Sequence, residues 1–319
     1  MSRGQQLLGE LDRDGTLSRM CETGALELKP DEPMSRHTTL RLGGPADLWA
    51  RPVTPTALAA LLARTHARAI PVTFVGSGTN LLVLDGGIQG VTINLGKMRG
   101  ITRADPDTNP GLVDVEAGAS TGKLLSQVTQ WELGGLEFLG GVPGSVGGGL
   151  VMNAGTYLGE FTDVVTEVRS LRADGSLVVR DHDACGFRYR ASDLPGNELA
   201  IGASLQLQPR ERAQIEADVA GLRARRKDRE PTGVYNSGST FKNPPGDYAG
   251  RLIEQAGLKG TSVAGAVVSP KHANWLVVER GQPCRATDLL ELVEVVRKGV
   301  NEAFGVALEL ELKVIGVAG

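Results

Sequence analysis

The chain has 319 residues, and 34 Lys and Arg against 37 Asp and Glu leave a net charge of −3 at pH 7. A balance this close to neutral argues against a dedicated nucleic-acid binder, and 4% aromatic residues leave little for a base-stacking platform. A hydrophobic content of 41% describes a globular chain, and at about 150 residues per domain the length predicts two domains. The first residues carry no apolar signal core and no run of about 18 apolar residues occurs, so the expectation is a cytoplasmic protein without a membrane partner. Cys21, Cys185 and Cys284 are scattered and odd in number, which provides neither a disulfide framework nor a Cys-x-x-Cys metal site.

Residues 1–30 read as a polar, partly helical lead-in. A helix is predicted from Thr54 and Pro55, an N-cap followed by proline in the first turn, with Leu58, Leu61 and Leu62 on one face. Strands follow at Pro71–Val75, Gly90–Leu95 and Leu112–Glu116. A second helix is expected from Thr121 to Leu133, with Leu124, Leu125 and Val128 inward and Gly134 as its stop. Val164–Leu171 and Leu177–Arg180 alternate on either side of Asp174-Gly175, a strong hairpin signal, and Ala200–Leu207 reads as the next strand. Composition changes near Pro209, where the domain boundary is placed. A charged helix from Glu211 to about Arg226 buries Ile215, Val219 and Leu222 and runs into Arg223-Ala-Arg-Arg-Lys-Asp-Arg229. The chain closes with a helix at Thr287–Phe304, stopped by Gly305, and an alternating strand at Val306–Val314.

Glycine is the compositional outlier, at 43 residues against a usual share of about 7%. Two clusters matter most. Gly76-Ser-Gly-Thr-Asn80 follows a strand, so its backbone N–H groups could converge on a phosphate; a plain tight turn is the competing reading. Leu81 occupies the third glycine position of a dinucleotide fingerprint, which disfavours the Rossmann fold. Gly140–Gly149, followed by Val151-Met-Asn-Ala-Gly155, is too rich in glycine for a stable helix or strand by propensity, and reads either as a ligand clamp or as close chain packing. A third segment, Ser237-Gly-Ser-Thr-Phe-Lys-Asn-Pro244, offers a hydroxyl, a cation and an amide without the nucleophile-elbow pattern of a hydrolase. Asp181-His-Asp183 reads as a solvated loop, and no metal site is expected.

Taken together, His37-Thr-Thr-Leu-Arg-Leu-Gly-Gly-Pro-Ala46, Gly76–Leu82, Gly141–Gly148, Asn153–Tyr157, Tyr189–Ser192, Gly238–Pro244, Ala249–Gly260, Ser269–Asn274 and Phe304–Glu311 resemble the MurB family of UDP-N-acetylenolpyruvoylglucosamine reductases. The resemblance runs in order over residues 35–316. It implies an α+β fold: a two-lobed FAD-binding domain of the vanillyl-alcohol-oxidase type at 1–208, with lobes near 1–95 and 96–208, and a smaller α+β substrate-binding domain at 209–319. It implies FAD contacts at Gly76, Ser77, Gly78, Thr79, Asn80, Leu81, Gly144, Ser145, Gly147, Asn153 and Gly155. The stretches 76–82 and 140–156 hold no His or Cys, so the flavin is expected to be non-covalent.

The family reaction moves hydride from NADPH through FAD to the double bond of UDP-N-acetylglucosamine enolpyruvate. By resemblance Arg190, Ser239 and Glu311 are catalytic, and Tyr157, Lys242, Asn243 and His272 meet the substrate. Without the family, Arg190 would read as a surface ion-pair partner and Glu311 as an outward strand residue. Lys227 and Arg229 remain alternatives for a substrate diphosphate contact. The chain departs from the common pattern at Tyr235-Asn-Ser237, Gly149 and Leu158, and lacks the insertion that would carry a lid tyrosine. Two readings compete: a flavin oxidase of an alcohol or hydroxy acid, and an inactive FAD- or nucleotide-binding protein. The expected enzyme is a monomer.

Overall fold

The computed structural model describes all residues from Met1 to Gly319. It is an α+β protein in two compact units, each assembled from separated pieces of chain: Met1–Glu32, Asp47–Ser77 and Gly90–Ala224 in the first, Pro33–Ala46, Gly78–Gln89 and Arg225–Gly319 in the second.

The first unit holds two sheets. One has four strands in the order Leu26–Pro33, Pro45–Pro52, Ile88–Ile93 and Val72–Phe74, the last two parallel. The helix Pro55–Ala67 packs Leu58, Leu61 and Leu62 into its core, and Thr54 caps the helix by accepting the Ala57 N–H at 3.2 Å. The lead-in is more than polar surface. Helices Arg3–Leu11 and Thr16–Glu22 bury Leu11 and Leu17 in the same core. The second sheet is antiparallel, with five strands in the order Leu177–Asp181, Val165–Leu171, Leu199–Gln206, Asn109–Glu116 and Ile101–Asp105. The expected hairpin forms at Asp174-Gly175, where Leu171 faces Leu177 and Gly175 adopts φ +83°. Helices Thr121–Gln130 and Val146–Met152 pack Leu124, Leu125, Val128, Val146 and Leu150 against this sheet's core. The first of these stops four residues short of Gly134: Trp131 closes it, Glu132 turns left-handed at φ +57°, and Leu133–Gly134 pairs with Gln208–Pro209.

The second unit is built around the helix Ala286–Phe304, whose Leu289, Leu292, Val293, Val296 and Val300 are buried against the small sheet Ser262–Val263, Ala266–Val268 and Leu276–Val278. Segments from far upstream complete its core. Leu40, Leu42 and Leu82 join Phe241, Leu308 and Leu312, and Leu81–Val83 pairs in parallel with Lys313–Ile315. A single boundary at 208–212 therefore does not describe the compact units; the second unit takes up the chain at Arg225, inside the helix Arg212–Arg229. The closing strand is also shorter than expected. Only Lys313–Ile315 is regular, because the Glu311 and Leu312 amides both donate to the Thr240 carbonyl (2.9 and 3.2 Å), which breaks a one-to-one ladder. No helix is long and apolar enough to cross a membrane.

Candidate active site

In the second unit, three stretches far apart in sequence meet around Ser239. Thr240 beside it is locked on both sides: its N–H donates to Asn274 O (2.8 Å), its hydroxyl accepts the Leu276 N–H (3.2 Å), and its carbonyl accepts the Glu311 N–H. Phe241 is pinned by Asn274, which accepts from its N–H and donates to its carbonyl (2.9 and 2.8 Å). The Glu311 carbonyl accepts from Asn80 Nδ2 at 3.0 Å. Ser239, Glu311 and Asn80 are thus fixed to one piece of backbone, although Glu311 and Asn80 lie more than 200 positions apart. Asn80 Oδ1 is buried with no hydrogen-bond partner, and so is the hydroxyl of Ser237, a residue only 8% exposed.

The other expected substrate contacts sit on the same unit with their side chains differently committed. Lys242 Nζ pairs with the Glu309 carboxylate at 2.5 Å, and that hydrogen bond holds the Glu309 carboxyl below the usual glutamate range. The ammonium group thus rests on a carboxylate whose side chain is 72% exposed. Asn243 is exposed and accepts the Ala249 N–H (3.1 Å) at the start of the helix Ala249–Gln255. His272 is half-buried near Trp275, and burial pushes its pKa down, with the Lys259 and Arg229 cations adding to the effect. A neutral imidazole offers a hydrogen bond rather than a charge. Between the two diphosphate candidates, Arg229 faces His272 electrostatically, whereas Lys227 is seen accepting the Lys271 ammonium through its carbonyl (2.8 Å).

In the first unit, Arg190 is the second of two residues at a tight turn closed by reciprocal Arg188–Ala191 backbone bonds of 3.0 Å. Its φ is +53°, its guanidinium donates to Gly155 O at 3.0 Å and lies 5.1 Å from the Tyr189 ring centroid. Tyr157 is 62% exposed, at the tip linking Gly155–Thr156 to Gly159–Glu160. Asn153 is 1% exposed and left-handed at φ +41°, where it ends the helix Val146–Met152. Its side chain ties three places together: Nδ2 donates to Glu160 (2.5 Å) and Arg188 O (3.2 Å), and Oδ1 accepts the Thr162 N–H (2.9 Å). Burial pushes the Glu160 carboxyl up, Arg190 opposes the shift and Asp163 adds to it. Sequence reasoning missed this hub, and its only signal was the Asn153-to-Tyr157 motif itself.

The glycine clusters have a mixed cause. Gly76 and Ser77 are exposed, and a Cβ on Gly76 would lie 2.5 Å from Ser145 Oγ, so two expected cofactor positions are in mutual contact. Ser145 caps the helix Val146–Met152 through Gly148 N–H. Gly78 begins the middle segment of the second unit at φ +66°, with the His37 carbonyl 1.9 Å from where its Cβ would sit, and its own carbonyl accepts the Thr39 N–H. The His37-Thr-Thr39 stretch thus clasps the loop, a role the sequence did not reveal. Gly76 O accepts Asn94 Nδ2 and Asn80 O accepts the Lys313 N–H, so carbonyls of residues 76–80 are taken by protein donors while an anion calls for N–H groups. Gly147, Gly149 and Gly155 are explained by packing, against Ala117, the Phe161 ring and Glu160 respectively. His182 of the Asp181-His-Asp183 loop contacts Asp183 and Thr162, each at about 3.0 Å, consistent with a solvated loop.

The first unit carries most of a match to the FAD binding domain family model over residues 46–180, and the model for the UDP-N-acetylenolpyruvoylglucosamine reductase C-terminal domain matches residues 230–315. A UDP-N-acetylenolpyruvoylglucosamine reductase of Agathobacter rectalis is 40% identical over 302 residues, covering 91% of this chain and 95% of that protein. The chain belongs to the UDP-N-acetylenolpyruvoylglucosamine reductase, or MurB, family. A second such reductase, from Symbiobacterium thermophilum, is 43% identical and covers 89% of this chain and 91% of its own length. Among solved structures, the MurB reductase of Thermus caldophilus aligns with a TM-score of 0.77 at 34% identity, over 91% of this chain and 99% of that one. The residues present fit a flavin: the glycine-rich stretches 76–80 and 140–155 and the buried, unpartnered Asn80 acceptor all fall within the sequence range matched by the FAD-binding family.

Proposed function

We propose that this protein reduces UDP-N-acetylglucosamine enolpyruvate to UDP-N-acetylmuramate with NADPH, using non-covalently held FAD, in peptidoglycan precursor synthesis. The observation that carries the reading is the convergence of Ser239 and Glu311 on the Thr240 backbone, within the region matched by the reductase C-terminal family. In this reading the enzyme is a cytoplasmic monomer. Gly76, Ser77, Gly78, Thr79, Asn80, Leu81, Gly144, Ser145, Gly147, Asn153 and Gly155 hold the cofactor. Tyr157, Lys242, Asn243 and His272 orient the substrate.

When bound, FAD takes hydride from NADPH and supplies it to one carbon of the enolpyruvyl double bond. The electron pair of that bond then moves toward the carbon bearing the carboxylate. Arg190, a permanent cation with a planar fork of donors, meets the carboxylate and stabilises the enolate charge. Ser239 gives its hydroxyl proton to the enolate carbon. A serine hydroxyl is a weak acid, so the alkoxide must be relieved as it forms. Glu311, tied through its backbone to the residue next to Ser239, stabilises the enolate together with Arg190. His272 contributes hydrogen bonding as a neutral ring.

Ser239→Ala is expected to lower substrate-dependent NADPH oxidation by roughly 10²–10⁴-fold, the usual worth of a general acid. Ser239→Cys should retain part of the activity, because a thiol still carries a proton. Wild-type turnover in the alanine variant contradicts the proton-donor role. Oxygen consumption with a simple alcohol, without NADPH oxidation, would favour the oxidase reading.

A further inference from the structure

We propose that Glu160 is a positioning residue for Arg190: held in place by Asn153, its carboxylate sets the orientation of the guanidinium. The inference rests on the reading of Arg190 as the group that meets the substrate carboxylate. Arg190 stands at the tip of a two-residue turn in a left-handed conformation that a non-glycine residue adopts only at some cost. A long side chain at such a tip is mobile unless several contacts hold it, and losing that order costs rate, since a misplacement of about 1 Å can lower a rate about 10²-fold. The segment 153–160 holds it by one direct hydrogen bond, one electrostatic interaction and one tie to the base of its turn. Gly155 O accepts from the guanidinium at 3.0 Å, and Glu160 is the residue that pairs with Gly155 across the short antiparallel ladder. The Arg190 cation acts electrostatically on the Glu160 carboxyl. Asn153 Nδ2 donates both to that carboxylate, at 2.5 Å, and to the carbonyl of Arg188 at the base of the turn, at 3.2 Å. One buried amide therefore fixes the carboxylate and the turn relative to each other. The Glu160 carboxylate also accepts the Asp163 backbone N–H in a reciprocal capping box, in which the Glu160 N–H donates to the Asp163 side chain at 2.8 Å, so the carboxylate has little freedom to leave.

Glu160→Gln tests this with the fold left intact, because the glutamine carbonyl still accepts from Asn153 and only the charge is lost. The flavin is reduced by NADPH and then reoxidised by UDP-N-acetylglucosamine enolpyruvate under anaerobic conditions, and the two steps are timed separately. The variant is expected to be reduced at the wild-type rate and reoxidised about tenfold more slowly. Calorimetry adds a readout independent of turnover. UDP-N-acetylmuramate carries a carboxylate that UDP-N-acetylglucosamine lacks, and the ratio of their affinities should fall about threefold or more in the variant, as an ill-placed Arg190 no longer discriminates. In an Arg190→Ala background the Glu160→Gln change should add nothing to either readout. Wild-type reoxidation and an unchanged affinity ratio in Glu160→Gln, with Arg190→Ala impaired, overturn the inference alone. Equal slowing of both steps together with loss of flavin also overturns it, since Glu160 would then be structural. An Arg190→Ala variant that reoxidises normally overturns the reading of Arg190, and this inference with it.

Discussion

Gly76 shows how a residue type that is legible in sequence can carry more than one physical cause. The sequence reading set a phosphate-binding loop against a plain tight turn here, and the structure adds packing: a Cβ on Gly76 would meet Ser145, itself an expected flavin contact. Gly76→Ala would drive a methyl group to within 2.5 Å of Ser145 Oγ and force that hydroxyl from the Gly148 N–H it caps. Overpacking of this kind costs about 1–3 kcal/mol, so the variant is expected to bind FAD roughly tenfold more weakly or worse. Flavin fluorescence titration reads this directly, and wild-type affinity would separate Gly76 from the cofactor. Arg190 and Glu311 were legible only through the family. Arg190 sits on a turn that no periodicity marks, and the alternation of Leu308-Glu-Leu-Glu-Leu312 describes a solvent-facing glutamate equally well. What singles out Glu311 is its pair of backbone bonds, to Thr240 and Asn80, and pairings over such separations leave no trace in local pattern.

Among the elements, the long helix Ala286–Phe304 was the most readable, because six buried apolar residues recur at helical spacing and Gly305 ends it at φ +67°. Its N-terminus was not readable. Asp85, some 200 positions upstream, accepts from the Ala286 N–H (2.9 Å), the Thr287 N–H (3.0 Å) and the Thr287 hydroxyl. Burial pushes the Asp85 carboxyl up, but the bonds from Thr287 and Ala286 outweigh it and hold it below the ordinary value of 3.8. Asp85→Ala is expected to cost about 1–2 kcal/mol at pH 7, as loss of a helix cap does. Because the folded state holds this carboxyl ionised to lower pH than the unfolded chain, the contribution is complete above the ordinary value and is lost as pH falls below it. Urea unfolding at pH 7 and at pH 2.5–3 checks both statements. The gap between wild type and Asp85→Ala should narrow at the acid end, and a gap that is absent at pH 7 would remove the cap. The closing strand illustrates the opposite case, in which a clean alternating pattern forms little regular ladder because one carbonyl takes two amides.

On the scale of the molecule, composition set the class and the count of compact units, while the path of the chain through them was not foreseen. The second unit needs Leu40, Leu42 and Leu82 for its core and Leu81–Val83 for a strand, all from the region that the family resemblance assigned to the flavin domain. A composition shift near Pro209 marks where the charged helix begins, but compactness follows contacts, and those contacts bring residues 33–46 and 78–89 across. The expected loop Gly76–Asn80 is divided accordingly, with Gly76 and Ser77 in one unit and Gly78 onward in the other. The central claim is that this chain passes hydride from NADPH through FAD to an enolpyruvyl sugar nucleotide. The most direct measurement is the visible absorbance of the purified protein under anaerobic conditions, first alone, then with NADPH, then with UDP-N-acetylglucosamine enolpyruvate. The account predicts a flavin spectrum that bleaches with NADPH and returns with the enolpyruvyl substrate. A protein that takes up no FAD, or a bleached flavin that this substrate does not restore, would contradict it.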